Sequence, residues 1–264
     1  MSTPNDKGIA LITGASSGIG ATYAERLARR GYDLLLVARD LPRLEALAGR
    51  LNQVHGVNVE VLKADLTDKA DLHAVTQRLR TDKAISLLVN NAGMAMNGQL
   101  AEADLDTADR MILLNVVALT HLSTAAAANF TAAGRGAVIN IASVVALAPE
   151  MFNAVYSATK AYVLSLSQTL QGEIGKLGVQ VQAVLPGITR TEIWERSGMD
   201  ESALPPSMVM EVGEMVDAAL AGFDQGELVT IPSLPDAADW AELVSARAKL
   251  GPNLSHSSAA ARYK

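Results

Sequence analysis

Tyr156 and Lys160 stand four residues apart in the segment YSATK, with Ser143 thirteen positions upstream of Tyr156 at the end of the apolar run AVINIAS. A phenol with an ordinary pKa of about 10 is a poor acid-base catalyst near neutrality unless a positive charge stands beside it. In a helix, residues i and i+4 share a face, so the Lys160 ammonium can lie next to the Tyr156 ring and favour the phenolate. Ser143 adds a hydroxyl that donates to a carbonyl oxygen or accepts from an alcohol. Three polar groups around one substrate oxygen make a proton-transfer device. Taken alone, a Tyr and a Lys at this spacing also fit an ordinary surface helix, and a Ser after a strand is a common turn residue. Tyr162, on the same expected helix, has Leu166 rather than a Lys four residues on and reads as packing.

The elements that must position these groups alternate along the chain. Short apolar runs predict strands at 8–13, 33–38, 57–64, 85–90, 137–142, 179–185 and 227–231. Amphipathic stretches between them predict helices at 18–30, 40–54, 68–81, 104–130, 154–176 and 211–222, with another at 236–249. That order is the signature of an α/β fold, a Rossmann-like doubly wound sheet of seven parallel strands with helices on both faces. Gly31 and Gly178 fall where helices should end, and Asp236 is placed to cap the last one. The segment from Ile188 to Ser207 breaks the alternation; it carries Trp194 and the pair Pro205-Pro206, and at about twenty residues it exceeds an ordinary connector. It is expected to be a lid, with a plain connector as the alternative. No repeat or linker divides residues 1–250, which are expected to form one domain; residues 251–264 read as a weakly ordered tail.

Directly after the first strand comes Thr13-Gly14-Ala15-Ser16-Ser17-Gly18-Ile19-Gly20, leading into a helix. Glycines there permit a tight turn and close backbone approach to a pyrophosphate, while the helix N-terminus offers unpaired N–H groups to an anion. This strand-turn-helix setting points to a dinucleotide, and oxidised nicotinamide would add a second positive charge beside Tyr156. The second strand ends in Ala38-Arg39 rather than in the carboxylate that usually binds the ribose 2′-hydroxyl of NAD. A guanidinium can fork onto a 2′-phosphate, which favours NADP. Asp40 and the lack of a basic residue within the glycine turn count on the other side.

The 264 residues suit one large α/β domain, and a net charge of −6 gives no nucleic-acid footprint. No apolar run in the sequence reaches the length of about 18 residues that suggests a membrane span, and the first residues lack a signal-peptide core, so a cytoplasmic protein without membrane contact is expected. Zero cysteines exclude disulfides, thiolate metal sites and a cysteine nucleophile. His55, His73, His121 and His256 lack metal-ligand spacing, so no metal site is expected.

Over residues 7–232 these motifs resemble the short-chain dehydrogenase/reductase family in its single-domain form. TGASSGIG is similar to that family's cofactor turn, Asp65-Leu66 to its adenine-contacting acidic position, and Asn90-Asn91-Ala92-Gly93 to its NNAG element. Asn115, Ser143, Tyr156 and Lys160 fall where the family has its catalytic tetrad, and Pro186-Gly187-Ile188 with Thr191 is similar to its nicotinamide-side loop. The resemblance implies an NADP-dependent oxidoreductase. Tyr156 would protonate a carbonyl oxygen that Ser143 holds, while NADPH delivers hydride to its carbon. Lys160 would lower the Tyr156 pKa and bond the nicotinamide ribose, and Asn115 would hold a water leading to solvent or serve as a helix-distorting residue. Thr13, Asn91 and Asp65 could tie loops together rather than touch cofactor. Met94, Met96, Val144, Val145, Met151, Phe152, Ile193 and Trp194 would line a mostly apolar pocket for a hydrophobic or amphipathic ketone, aldehyde or secondary alcohol. The family also implies a homodimer or homotetramer built on the helices at 104–130 and 154–176. A catalytically silent NADP-binding regulatory protein of the same fold is the rival reading, and the intact tetrad weighs against it. A nucleotide-sugar epimerase or dehydratase shares the Tyr-Lys device, but the chain is short for one.

Overall fold

In the computed structural model, which describes residues 7–193, 197 and 205–264, the chain divides into two compact units, one ending at Pro232 and one running from Ser233 to Lys264. In the first, β1 (Ile9–Thr13), α1 (Gly18–Arg29), β2 (Asp33–Ala38), α2 (Leu41–His55), β3 (Val59–Lys63), α3 (Lys69–Thr81) and β4 (Ile85–Asn90) follow one another. Next come α4 (Leu105–Ile112), a π turn (Leu113–Ala118), α5 (Leu119–Ala133), β5 (Gly136–Ile141), α6 (Ala154–Ile174) and β6 (Val179–Val184). The unit closes with α7 (Val212–Asp224) and β7 (Val229–Thr230). All the strand pairs are parallel, in the order β3-β2-β1-β4-β5-β6-β7. The order reverses between β1 and β4, and in such sheets that switch point opens a crevice beyond the carboxyl ends of the strands.

The central strands are aliphatic on both faces because both are covered. Tyr23, Leu27, Leu44, Leu51, Met215 and Leu220 from α1, α2 and α7 bury one face. Leu72, Leu79, Leu122, Phe130, Leu170 and Ile174 from α3, α5 and α6 bury the other. The stretch expected as one helix at 104–130 continues to Ala133 and is interrupted by the π turn. This 29-residue run is long and apolar enough by length and composition to cross a membrane, which inspection of the sequence did not anticipate. Its Leu119, Leu122, Ala126 and Phe130 are core residues. β7 keeps only two residues of the five expected.

Helix ends follow local chemistry. The Asp40 carboxylate accepts the Arg43 N–H at 3.1 Å and starts α2, and Asn153 accepts from Val155 and Tyr156 at 3.0 and 3.1 Å to start α6. In the second unit, α8 (Ala237–Ala248) begins at Asp236, whose side chain accepts from Ala238 as expected, and short 3-10 turns follow at Gly251–Asn253 and Ala261–Tyr263. Of the expected lid, residues 194–196 and 198–204, including Trp194, lie outside the described residues. Its flanks are tied by a bridge between Thr189 and Met210.

Candidate active site

The ends of β1, β2, β4, β5 and β6 surround a cavity of about 870 Å³. Its floor is the glycine turn. Gly14 has φ +65, a conformation that suits only glycine without strain, and a methyl at Gly20 would lie 2.4 Å from the Gly14 carbonyl. Ser17, at the N-cap of α1, makes no side-chain cap, so the first N–H groups of that helix keep their donors for an anion. Ser16, Ser17, Gly18 and Ile19 line the cavity here.

Thr13 and Asn91 hold the floor together. The Thr13 hydroxyl donates to Val89 O and accepts from the Asn91 and Ala92 N–H groups at 3.0 Å each. The Asn91 amide donates to Thr13 O at 2.9 Å and Gly14 O at 3.2 Å. Thr13, Gly20, Asn115 and Ile188 are not on the cavity wall, whereas Asn91, Ala92, Gly93, Pro186, Gly187 and Thr191 are.

At the β2 end, Arg39 is exposed and stands 3.7 Å from Asp65. The Asp65 carboxylate accepts from the Thr67 N–H and hydroxyl at 2.9 and 2.7 Å. Partial burial pushes its pKa up, but the Thr67 hydrogen bonds and the Arg39 charge outweigh that and leave it below the ordinary carboxylate value. Asp65 thus ties its loop to Arg39 while lining the crevice beside Leu66.

At the other end Ser143, Tyr156 and Lys160 share the wall. Burial pushes the Tyr156 phenol up to about 12, and the Ser143 hydroxyl, which lies 3.4 Å from both Pro186 O and the Val145 N–H, pulls the other way. Lys160 places its ammonium 5.5 Å from the centre of the Tyr156 ring and donates to Ile141 O at 2.9 Å. Burial draws Lys160 down to about 8. At the Tyr156 phenol burial is the larger influence, and Ser143 is the group that opposes it. Lys160 is buried and Tyr156 is half-buried at the cavity wall, and loss of water disfavours the charged form of each.

Asn115 lies in the π turn, and its side chain is fully engaged. Its Oδ1 accepts from Met94 N at 3.0 Å, and its amide donates to Met94 O at 2.9 Å and to Thr159 Oγ1 at 3.1 Å. The residue distorts the helix and anchors the loop after β4. Gly93 fits between it and Lys160, since a methyl there would be 3.3 Å from Asn115 Oδ1 and 3.7 Å from Lys160 Nζ.

On the substrate side Met94 and Ile193 line the cavity. Met96 does not; it packs with Ala108 and Met111 in a small core cluster beneath Tyr156. Val144, Val145, Met151 and Phe152 are also off the wall, although Phe152 meets the Tyr156 ring edge-on at 5.3 Å between centres. The wall includes Asp40, weighed above against NADP, and Arg110, Leu114 and Glu192, which the motifs did not single out. Arg110 and Leu114 were legible as an i, i+4 pair on one helix face; Glu192 had no local signal. Tyr162, read as packing, shares a 2.7 Å hydrogen bond with Thr120.

A half-buried phenol with a buried amine and hydroxyl, at the end of a glycine-floored crevice in a doubly wound sheet, defines a dinucleotide-dependent oxidoreductase. The family model described as short chain dehydrogenase matches residues 8–202, and the chain belongs to that family. A short-chain dehydrogenase from Sphingobium yanoikuyae, solved with NADPH, is 56% identical, with a TM-score of 0.95 over 97% of this chain and 100% of that one. The bulky-bulky ketone specific alcohol dehydrogenase from Comamonas testosteroni is 50% identical, with a TM-score of 0.89 over 97% and 98% of the two chains. A very-long-chain 3-oxoacyl-CoA reductase from Anas platyrhynchos is 31% identical over 188 residues, 70% of this chain and 60% of that protein. These likenesses support turnover rather than silent binding, and the chain is an oxidoreductase.

Proposed function

We propose that the protein is an NADPH-preferring carbonyl reductase and alcohol dehydrogenase, acting on ketones whose carbonyl carries bulky apolar groups. The observation that carries this reading is the convergence of Ser143, Tyr156 and Lys160 on one wall of the cavity that the uncapped start of α1 also borders. The glycine floor and these free N–H groups fit a pyrophosphate, and Arg39 fits a 2′-phosphate. When bound, NADPH supplies the hydride that reaches the carbonyl carbon.

The chain's own residues manage the proton. With its pKa at about 12, Tyr156 is protonated at neutral pH and donates to the carbonyl oxygen as that oxygen gains charge. Ser143 donates a hydrogen bond to the same oxygen and holds it near the phenol. Lys160, fixed by Ile141 O beside the ring, stabilises the phenolate left behind and returns a proton to it. Asn115 keeps the loop carrying Met94 in place, so the substrate meets a fixed wall. In alcohol oxidation each transfer reverses.

The substrate class rests on Met94, Ala95, Leu114 and Ile193 in the wall and on the Comamonas enzyme, named for bulky-bulky ketones. Assembly as a homo-oligomer belongs to the same reading, supported by the exposed apolar side chains Leu105, Ile112 and Leu113 on the α4 to α5 surface. The test is a panel of ketones and alcohols with each cofactor, followed by reduced-nicotinamide absorbance, together with Arg39→Gln. Diaryl or long-chain ketones should be reduced fastest, and Arg39→Gln should weaken NADPH by about tenfold with little change for NADH. A preference for charged sugars, or equal losses for both cofactors, would overturn it.

A further inference from the structure

The adenosine end of the cavity carries more negative charge than an anionic cofactor should tolerate. Asp40, Asp65 and Glu192 all border it, against Arg39 as the cation on that part of the wall, and Arg39 already lies against Asp65. The missing charge stands just behind the rim. Arg43, in the first turn of α2, directs its Nη1 at both Glu192 carboxylate oxygens, at 3.0 and 2.9 Å. Its Nε lies 3.4 Å from Asp40 Oδ2. One guanidinium therefore faces two of the three carboxylates at this end, and it links α2 on the adenosine bank to the loop that carries Thr191 on the nicotinamide bank. These side chains are 40–49% exposed, so the pairs are worth little in stability and are easily exchanged for a stronger anion.

We infer that Arg43 is a second 2′-phosphate-recognition residue alongside Arg39, and that Glu192 is the counter-charge that competes with the phosphate for it and so holds the NADPH preference below its attainable value. This rests on the NADPH reading above. A phosphate dianion offers a guanidinium charge-assisted hydrogen bonds that a shared carboxylate matches only in part. NADH, which has a hydroxyl at that position, gains nothing from Arg43. Glu192 in this account lowers affinity for the preferred cofactor, the opposite of what a simple structural tie between loop and helix does.

The experiment is isothermal titration of NADPH and NADH into the full-length protein and its Arg43→Gln, Glu192→Gln and doubly substituted variants, with thermal unfolding as a control for fold. Glu192→Gln should tighten NADPH by about two- to fivefold, the range of an exposed charge pair, and leave NADH within about twofold. Arg43→Gln should weaken NADPH by about tenfold and spare NADH. In the double variant the gain from Glu192→Gln should vanish, because the cation it releases is gone. Raised salt should shrink these differences. Equal weakening of both cofactors by Glu192→Gln would overturn the inference and make the pair a tie, as would tightening that survives loss of Arg43. If Arg39→Gln behaves as expected while these variants do nothing, the inference fails and the NADPH reading stands. If the unaltered protein binds both cofactors equally, both fail.

Discussion

Replacing Lys160 by Met should change how stability depends on pH in a way that no surface lysine could. The residue is 7% exposed, and burial draws its pKa from 10.5 to about 8. At roughly 1.4 kcal/mol per pH unit, keeping the charged form buried costs about 3 kcal/mol. The unfolded chain holds this proton up to pH 10.5, whereas the folded protein releases it near 8. Between those values the unfolded state binds more protons, so stability rises with pH across that window; below pH 8 the penalty is fully present. Methionine fills the same space and has no proton to lose. The stability of the unaltered protein minus that of Lys160→Met should therefore climb by about 3 kcal/mol between pH 8 and 10.5. At pH 7 removal of the penalty is offset by loss of the 2.9 Å bond to Ile141 O, leaving the two proteins within about 2 kcal/mol. Urea unfolding at constant ionic strength across this range measures the difference directly. The buried phenol Tyr23 is common to both proteins and cancels, and Tyr156, pushed up to about 12 in the folded protein, stays protonated across this window. A difference that stays flat or falls with pH would refute the reasoning, for it would mean that Lys160 is not held as a buried ammonium.

Gly20→Ala should lower stability by about 1–3 kcal/mol and cut NADPH affinity, because the added methyl would lie 2.4 Å from Gly14 O and 2.5 Å from the Asn91 amide that holds the turn; unchanged binding in a titration would contradict this. Ser143→Ala removes the hydroxyl that opposes the effect of burial on Tyr156, so turnover should fall by about 10²-fold and the pH dependence of alcohol oxidation should move to more alkaline values. A pH–rate profile with an unmoved midpoint would show that Ser143 does not act through Tyr156.

The alternation of short aliphatic runs with amphipathic stretches was enough to read a doubly wound sheet of seven parallel strands, since burial on both faces gives those strands their aliphatic pattern. The positions of Ser143, Tyr156 and Lys160 were legible for a similar reason: Ser143 follows a strand end, and Tyr156 and Lys160 fall in the first two turns of a helix that the local sequence marks. What escaped was set by distant neighbours. Asn115 was read as a water holder or a helix-distorting residue, and its place in the π turn fits the second, but its side-chain ties to Met94, 21 positions away, and Thr159, 44 away, had no local signal. Met96 looked like pocket lining and is core, because Ala108 and Met111 close over it. Arg43 and Glu192 are separated by 149 residues and meet only in the folded chain. The direction of the Tyr156 shift was also hidden, since burial of a side chain depends on everything packed around it.

The central claim is that the Tyr156 hydroxyl transfers the proton. Tyr156→Phe, which removes one oxygen, should be assayed for ketone reduction alongside a titration with NADPH. Turnover should fall by about 10³-fold or more with NADPH affinity within a few-fold of the unaltered protein. Ketone reduction that persists at the original rate would contradict the account.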